Sequence, residues 1–411
     1  MNTDIEEAFL KGEEANKQGN YAEAFRWYHH AAEAGYARAM FELGLLYVMG
    51  QGTSKDVNQG IQWILKAAQG QDPQAMFEIG TVYFNGDVLP QDYEQSSSWF
   101  LKAAQAGQVN AMFNIGLHYK AGRGVPQDYD QALEWLQKAA SHGHDEAMRE
   151  IAMMYNYGRG VPQDYSQAMD WYLKSAECGN VEAMYGIALR YTNGEGVPQD
   201  YPTAMQWYLK AAGLGHIGSM FNIGISYMKG AGVAQDFFEA IKWFQKASEG
   251  GNDQAMLNIG NFYNNGNGVP QDYSQAMQWY QRAAQYGNAQ AMFNIGVLYF
   301  QGTGVPQNPK QAFDWYHRAA EAGDASAMFN LGAMFEKGKV VPQDYAQSRH
   351  WYERAADEGD VDAMFNLGQR YFKGEGVPQD YKLATEWFQK AADHGDEEAA
   401  GVLAHIKSQV A

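Results

Sequence analysis

Apolar residues recur along this chain in two interleaved helical registers, and the pair of registers repeats every 36 residues. In residues 111–146 the first register is Met112, Ile115, Gly116 and Tyr119, spaced i, i+3, i+4 and i+7 on one helical face. The second register is Tyr129, Ala132, Trp135, Leu136, Ala139 and Ala140, with large and small side chains alternating. Gly122 closes the first helix, Gly124 and Pro126 hold an extended turn, and Asp128 is placed to cap the second, with Gln131 completing a capping-box-like pair. The same pairs recur at Asp92 and Gln95, Asp164 and Gln167, Asp272 and Gln275, and Asp344 and Gln347. Gly143 ends the second helix, and Asn180, Asn252, Asn288, Asp324, Asp360 and Asp396 stand where the next first helix begins. The pattern predicts helix-turn-helix units with a first helix A and a second helix B. The glycine column on helix A costs helix propensity, so its recurrence implies close approach of a neighbouring helix, with Tyr119 beside it.

Counting registers gives eleven such pairs. The first is degenerate, with helix A near residues 4–18 and helix B near 21–34, and residues 1–36 form this tetratricopeptide-like N-terminal repeat. Ten regular repeats fill residues 37–395. Residues 396–411 form a C-terminal capping helix, in which Ala399-Ala400 replaces the usual Ala-Met, for about 23 helices in all. The expected fold is an all-α, α/α superhelical solenoid with one concave wall. All eleven tryptophans, from Trp27 to Trp387, share one phase of the repeat. They are expected to form a buried spine, so truncating one to Ala should cost on the order of 3–5 kcal/mol.

Composition narrows the function. A net charge of −18 over 411 residues, without a basic stripe, disfavours nucleic acid and suits a solvated surface that keeps a long rod soluble. No apolar stretch is long enough to span a membrane. The N-terminal run Met1-Asn2-Thr3-Asp4-Ile5-Glu6-Glu7 lacks a basic n-region and an apolar h-region, so we expect a complete chain without a secretory signal. Cys178 is the single cysteine, which leaves stability to packing; both points favour the cytoplasm.

No catalytic residue, cofactor or metal site is expected. His142-Gly143-His144-Asp145 is the ordinary turn between repeats and is short of metal ligands. Ser96-Ser97-Ser98 occupy helix B positions with no partner His suggested, and Cys178 reads as a buried or half-exposed spectator. Gly-x-Gly pairs such as Gly194-Glu195-Gly196 have no preceding strand and no Lys-Ser or Lys-Thr after them, so they are not phosphate loops. The Met and aromatic columns follow the period of the core. Asn114, Asn222, Asn258, Asn294, Asn330 and Asn366 lie off the apolar face of helix A and either bond neighbouring backbone or offer polar contacts to a bound peptide.

Positions that break the repeat are free of stacking duty. Residues 149–157 depart most, through Arg149, Met153, Met154, Asn156 and Tyr157, and the next unit adds Tyr185, Leu189 and Arg190. These eight residues are the expected partner-binding patch, since exposed Met, Tyr and Arg serve as interface anchors. The competing reading is core repacking around Ala152 and Ala188, which replace the helix A glycine. A second, weaker patch is His118, Phe262, Leu298, Phe300 and Arg370.

The pattern Ala-Met-x-x-x-Gly-x-x-Tyr-x-x-Gly, then Gly-Val-Pro-Gln-Asp-Tyr, then Ala-x-x-Trp-Tyr-x-Lys-Ala-Ala-x-x-Gly resembles the Sel-one-like repeat family of tetratricopeptide-like solenoids, over residues 37–395. Residues 4–34, with Gly19-Asn20-Tyr21 and Ala24, resemble a tetratricopeptide unit more loosely. Departures are Ala234 for the loop proline, Gln71 for the terminal glycine of helix B, and Asn308-Pro309 for Asp-Tyr. Paired cysteines that staple some relatives are absent. The resemblance implies a bacterial, non-enzymatic scaffold or adaptor that binds a protein or peptide on its concave face. Alternatives are an immunity or regulatory protein that sequesters a partner enzyme, a groove-based hydrolase, and an exported carbohydrate- or host-binding protein. The unbroken spacing supplies neither the inserted loop nor the acid–base cluster a hydrolase needs.

Overall fold

The computed structural model describes residues 3–410, with side chains described for 4–406. Among the described residues it contains 23 helices and no strand, from Thr3–Lys17 to Glu397–Val410. The architecture is an all-α solenoid of tandem A–B hairpins. The chain divides into two compact units, Met1–Trp207 and Tyr208–Ala411. Within each unit, hairpins pack on their neighbours in sequence.

Local chemistry explains the regularity. Asp128 accepts from the Gln131 amide at 3.0 Å, and Asp56, Asp164, Asp272 and Asp344 cap their B helices in the same way. Asn180, Asn252, Asn288, Asp324 and Asp360 each accept from the amide three residues on, at 2.8 Å, at the start of their A helices. The loop glutamine has a duty that its recurrence alone did not reveal. Gln127 Nε2 donates to the Lys120 carbonyl at 2.9 Å, and Gln163, Gln199, Gln235, Gln271, Gln307, Gln343 and Gln379 repeat that bond seven residues back. A carbonyl near the end of each of these A helices thereby gains a donor, while the following Asp caps helix B. Gln71 carries the left-handed φ of +67° that glycine supplies elsewhere.

The helix A glycines face one specific partner. A Cβ on Gly260 would stand 2.5 Å from the Tyr280 ring, and one on Gly224 or Gly368 would meet Phe244 or Phe388 at 2.6–2.7 Å. The contacting ring follows the tryptophan in sequence, and here the structure corrects the expectation of a buried indole spine. Tyr28, Phe100, Leu136, Tyr280, Tyr352 and Phe388 are nearly or wholly buried, whereas among the tryptophans only Trp135 and Trp351 are buried and the others are half-buried. A cation three residues on lies over the indole: Lys138 at 4.0 Å from Trp135, Lys246 at 3.9 Å from Trp243, Arg318 at 4.0 Å from Trp315. The tryptophan column is therefore a half-buried shoulder roofed by lysine and arginine stems.

In the unit where Ala152 replaces the glycine, the helix B ring also has a glycine on the next helix A as neighbour. The Tyr172 ring reaches toward Gly186, where a Cβ would stand 3.0 Å away. Gly186, on the next helix A, holds the phase occupied elsewhere by the asparagine column.

Candidate partner-binding surfaces

The expected patch does not lie wholly at the surface. Met154, Asn156 and Arg190 are 1%, 4% and 5% exposed, which corrects their reading as accessible anchors. Met154 and Arg190 share one phase of helix A, at which Arg190 lies against Tyr172 of the preceding helix B, and Asn156 accepts from Arg190. Arg149, Met153, Tyr185 and Leu189 are half-buried, and Tyr157 is exposed. Of the weaker patch, His118, Phe262, Leu298 and Arg370 are buried and Phe300 is exposed.

Around the A helices Val109–Ala121, Asp145–Tyr157 and Val181–Asn193 of the first unit, polar side chains form two sets, one on Glu150 and one on Arg190. Glu150 is ion-paired through Oε2 with Lys120 Nζ and through Oε1 with Arg149 Nη2 at 2.9 Å. Arg149 Nη1 also lies 3.1 Å from Met153 Sδ. Arg190 lies 4.9 Å from the Tyr172 ring centre and donates to Asn156 Oδ1 and to the Gly186 carbonyl, the latter at 3.2 Å. Its Nε is buried without a hydrogen-bond partner. Burial raises the Tyr172 phenol's pKa, and the nearby Arg190 and Arg149 charges oppose that rise. Sequence reasoning missed Lys120 and Glu150, although both occupy phases that vary from repeat to repeat.

It also missed a partner for Ser97. Ser97 Oγ donates to the Arg123 carbonyl at 2.7 Å and lies 2.7 Å from His118 Nδ1. The imidazole is enclosed by Phe84, Tyr93 and Phe100, with ring centres 5.3–6.5 Å away. Burial pushes its pKa down to about 4, so the ring is neutral near pH 7. Ser96 Oγ donates to the Gly80 carbonyl at 2.8 Å. His144 of the histidine-containing turn caps the helix Asp145–Tyr157, accepting from Ala147 at 3.2 Å. Cys178 is exposed at the end of Tyr165–Glu177, more open than expected.

The second unit presents a different helix A surface. A cleft of about 390 Å³ is lined by Asn261, Asn264, Tyr273, Tyr280, Asn294 and Gln301, with no charged residue in its wall. Asn261 Oδ1 accepts from Tyr280 Oη at 2.8 Å and from Asn294 Nδ2 at 3.4 Å. Within the asparagine column the backbone-bonding role is seen at some positions, and the peptide-contacting role is untested. Asn258 and Asn330 bond their own helix backbone at 2.8 Å, while Asn294 lines the cleft. An apolar pocket of about 130 Å³ lies among Phe300, Ala333, Met334 and Val340.

A family model described as Sel1 repeat matches eleven successive segments, 7–36, 37–72, 73–108, 109–144, 145–180, 181–216, 217–252, 253–288, 289–324, 325–360 and 361–396. Among solved structures, a protective antigen of uropathogenic Escherichia coli strains with an SLR fold is 34% identical, covering 93% of this chain and 82% of its own, with a TM-score of 0.69. A Sel1 repeat protein from Oxalobacter formigenes is 31% identical over 74% of this chain and 87% of its own, with a TM-score of 0.61. No curated protein matches the chain. Among the described residues, no helix is long and apolar enough to cross a membrane.

Proposed function

Because the chain belongs to the Sel1 repeat family, we propose that it is a non-catalytic scaffold that holds an extended segment of a partner protein on its helix A surfaces. The observation that carries this reading is the uncharged, amide-lined cleft at Asn261, Asn264 and Asn294. Asparagine and glutamine side chains offer both donors and acceptors, which matches a peptide main chain, whose N–H and C=O groups must both be satisfied on burial. Phe300 and Met334 add an apolar recess for a side chain. A hydrolytic reading would start from Ser97 and His118, but both side chains are shut away from solvent and Ser97 spends its proton on a carbonyl.

Quantitative affinity capture from source cells with the wild-type chain and an Asn264→Ala/Asn294→Ala variant tests the reading, alongside a turnover panel with purified protein. A protein retained by the wild type and lost with the variant, with no turnover, is the expected result. Equal retention by both chains, or turnover of any substrate, would overturn it.

A further inference from the structure

The chain carries a net charge of −18, yet two cations of the first unit stand together against Glu150. Lys120 and Arg149 converge there on one carboxylate, and Arg190 lies near the same Tyr172 side chain as Arg149 and Glu150. Glu150 answers the first two. Arg190 has only neutral acceptors, the Asn156 amide and the Gly186 carbonyl, and one N–H left over. Arg159 adds a further cation, 5.3 Å from the exposed Tyr157 ring.

The second unit contains the same construction with a carboxylate beside the guanidinium, although Nε, Nη1 and Nη2 of that arginine are buried without hydrogen-bond partners. Arg370 holds the phase of Arg190 and lies 5.1 Å from Tyr352 as Arg190 does over Tyr172. At the phase of Asn156 stands Glu336, 3.0 Å from Arg370 Nη2. A buried guanidinium is stabilised by a carboxylate, and at Arg190 the chain does not provide one.

We propose that the surface formed by Lys120, Arg149 and Tyr157 binds an acidic segment of a partner protein, whose carboxylate supplies the negative charge that Asn156 withholds from this cluster. Lys120 and Arg149 keep 23% and 27% of their side chains exposed, so both can reach a ligand while holding Glu150. Arg190 stays beneath and acts through its field. Met153 and Tyr157 give the carbon skeleton of such a segment an apolar rim, and Arg149 can offer a charge-assisted bond. The acidic remainder of the molecule does not forbid this, because at physiological ionic strength charges beyond about 8 Å are largely screened. The carboxylates already serving at Glu150 and Glu336 indicate the anion that the geometry accepts. This inference rests on the scaffold reading and concerns a different unit from the amide cleft.

Fluorescence anisotropy of the full chain with a labelled, C-terminally amidated hexaglutamate peptide tests it, with hexaglutamine as comparator. Hexaglutamate is expected to bind at least about tenfold tighter than hexaglutamine, and Arg149→Gln to weaken it about tenfold. Glu150→Gln, which frees two cations, should tighten binding. Asn156→Glu installs the missing carboxylate and should abolish binding while leaving the thermal midpoint unchanged or higher, a result that unfolding cannot mimic. Undiminished binding by a folded Asn156→Glu chain would overturn the proposal. So would equal affinity for the two peptides, displacement of hexaglutamate by millimolar inorganic phosphate, or equal binding of a single-stranded oligonucleotide. Failure here with successful partner capture above would remove only this inference.

Discussion

Arg190 and Arg370 stand at one phase of the repeat, one in each unit, and both lie against a tyrosine of the preceding helix B. Around Arg370 a carboxylate is at hand: Glu336 lies 3.0 Å from Nη2 and accepts from Tyr352 Oη at 2.9 Å, although Nε, Nη1 and Nη2 of Arg370 are buried without a hydrogen-bond partner. Around Arg190 the matching residue is the neutral Asn156. The nearby helix A surfaces follow suit, with a cationic cluster at Lys120 and Arg149 in the first unit and a neutral amide cleft at Asn261 and Asn294 in the second. Hairpins of one pattern thus carry different surface chemistry, because stacking claims only some phases of the hairpin and leaves the rest to vary.

The sharpest test of which phases are claimed is truncation of a ring in each unit. Tyr280→Ala removes a side chain 2% exposed beside Gly260 and should cost about 4 kcal/mol in chemical denaturation. Tyr157→Ala, at a residue 58% exposed, should change stability by less than about 0.5 kcal/mol. Similar losses at both sites would erase the distinction between stacking and free phases.

A pH titration probes the first unit through His118. Its folded pKa of about 4 lies below the ordinary 6.5, so the unfolded chain binds the proton more readily. Stability is therefore complete above about pH 6.5 and falls as pH drops toward 4, by about 3 kcal/mol. His118→Leu, which places at this phase the residue found at Leu298, should flatten that slope in hydrogen exchange of the helix Val109–Ala121. An unchanged slope would remove the imidazole from the account.

The two arginines should then part company. Arg370→Leu strands Glu336 and Tyr352 and should cost about 2 kcal/mol, while Arg190→Leu deletes a buried charge with no carboxylate and should cost less than about 1 kcal/mol. Equal costs, read from denaturation midpoints at matched slopes, would mean that Asn156 compensates Arg190 as well as Glu336 does Arg370. A single hydrogen bond is at stake at the cleft. Tyr280→Phe loses the bond to Asn261 for about 1 kcal/mol and should leave the fold's circular dichroism unchanged.

Helix phases, hairpin boundaries and caps were legible in the sequence because each depends on residues three or four apart. Asp128 must sit just before helix B to meet the Gln131 amide, and spacing alone says so. The burial of the tryptophan column was not legible in that way. Trp279 and Tyr280 are neighbours in sequence, and only the angle at which helix B meets helix A decides which ring enters the interior. The same angle hides Met154, Asn156 and Arg190, which diverge in sequence as freely as a surface does. Pairings such as Ser97 with His118, or Lys120 with Glu150, join residues from different helices, so periodicity cannot reach them.

The glutamine of each Val-Pro-Gln-Asp-Tyr loop bonds back to its own helix A, and the aspartate bonds forward to its own helix B. Each of these hairpins is consequently stitched within itself by its loop glutamine and aspartate. Excising or duplicating one period would restore every such stitch at the new junction. The length of the array can thus change by whole periods without redesign of its joints, which lets recombination alter the reach of the scaffold and the order of its surfaces independently of its stability.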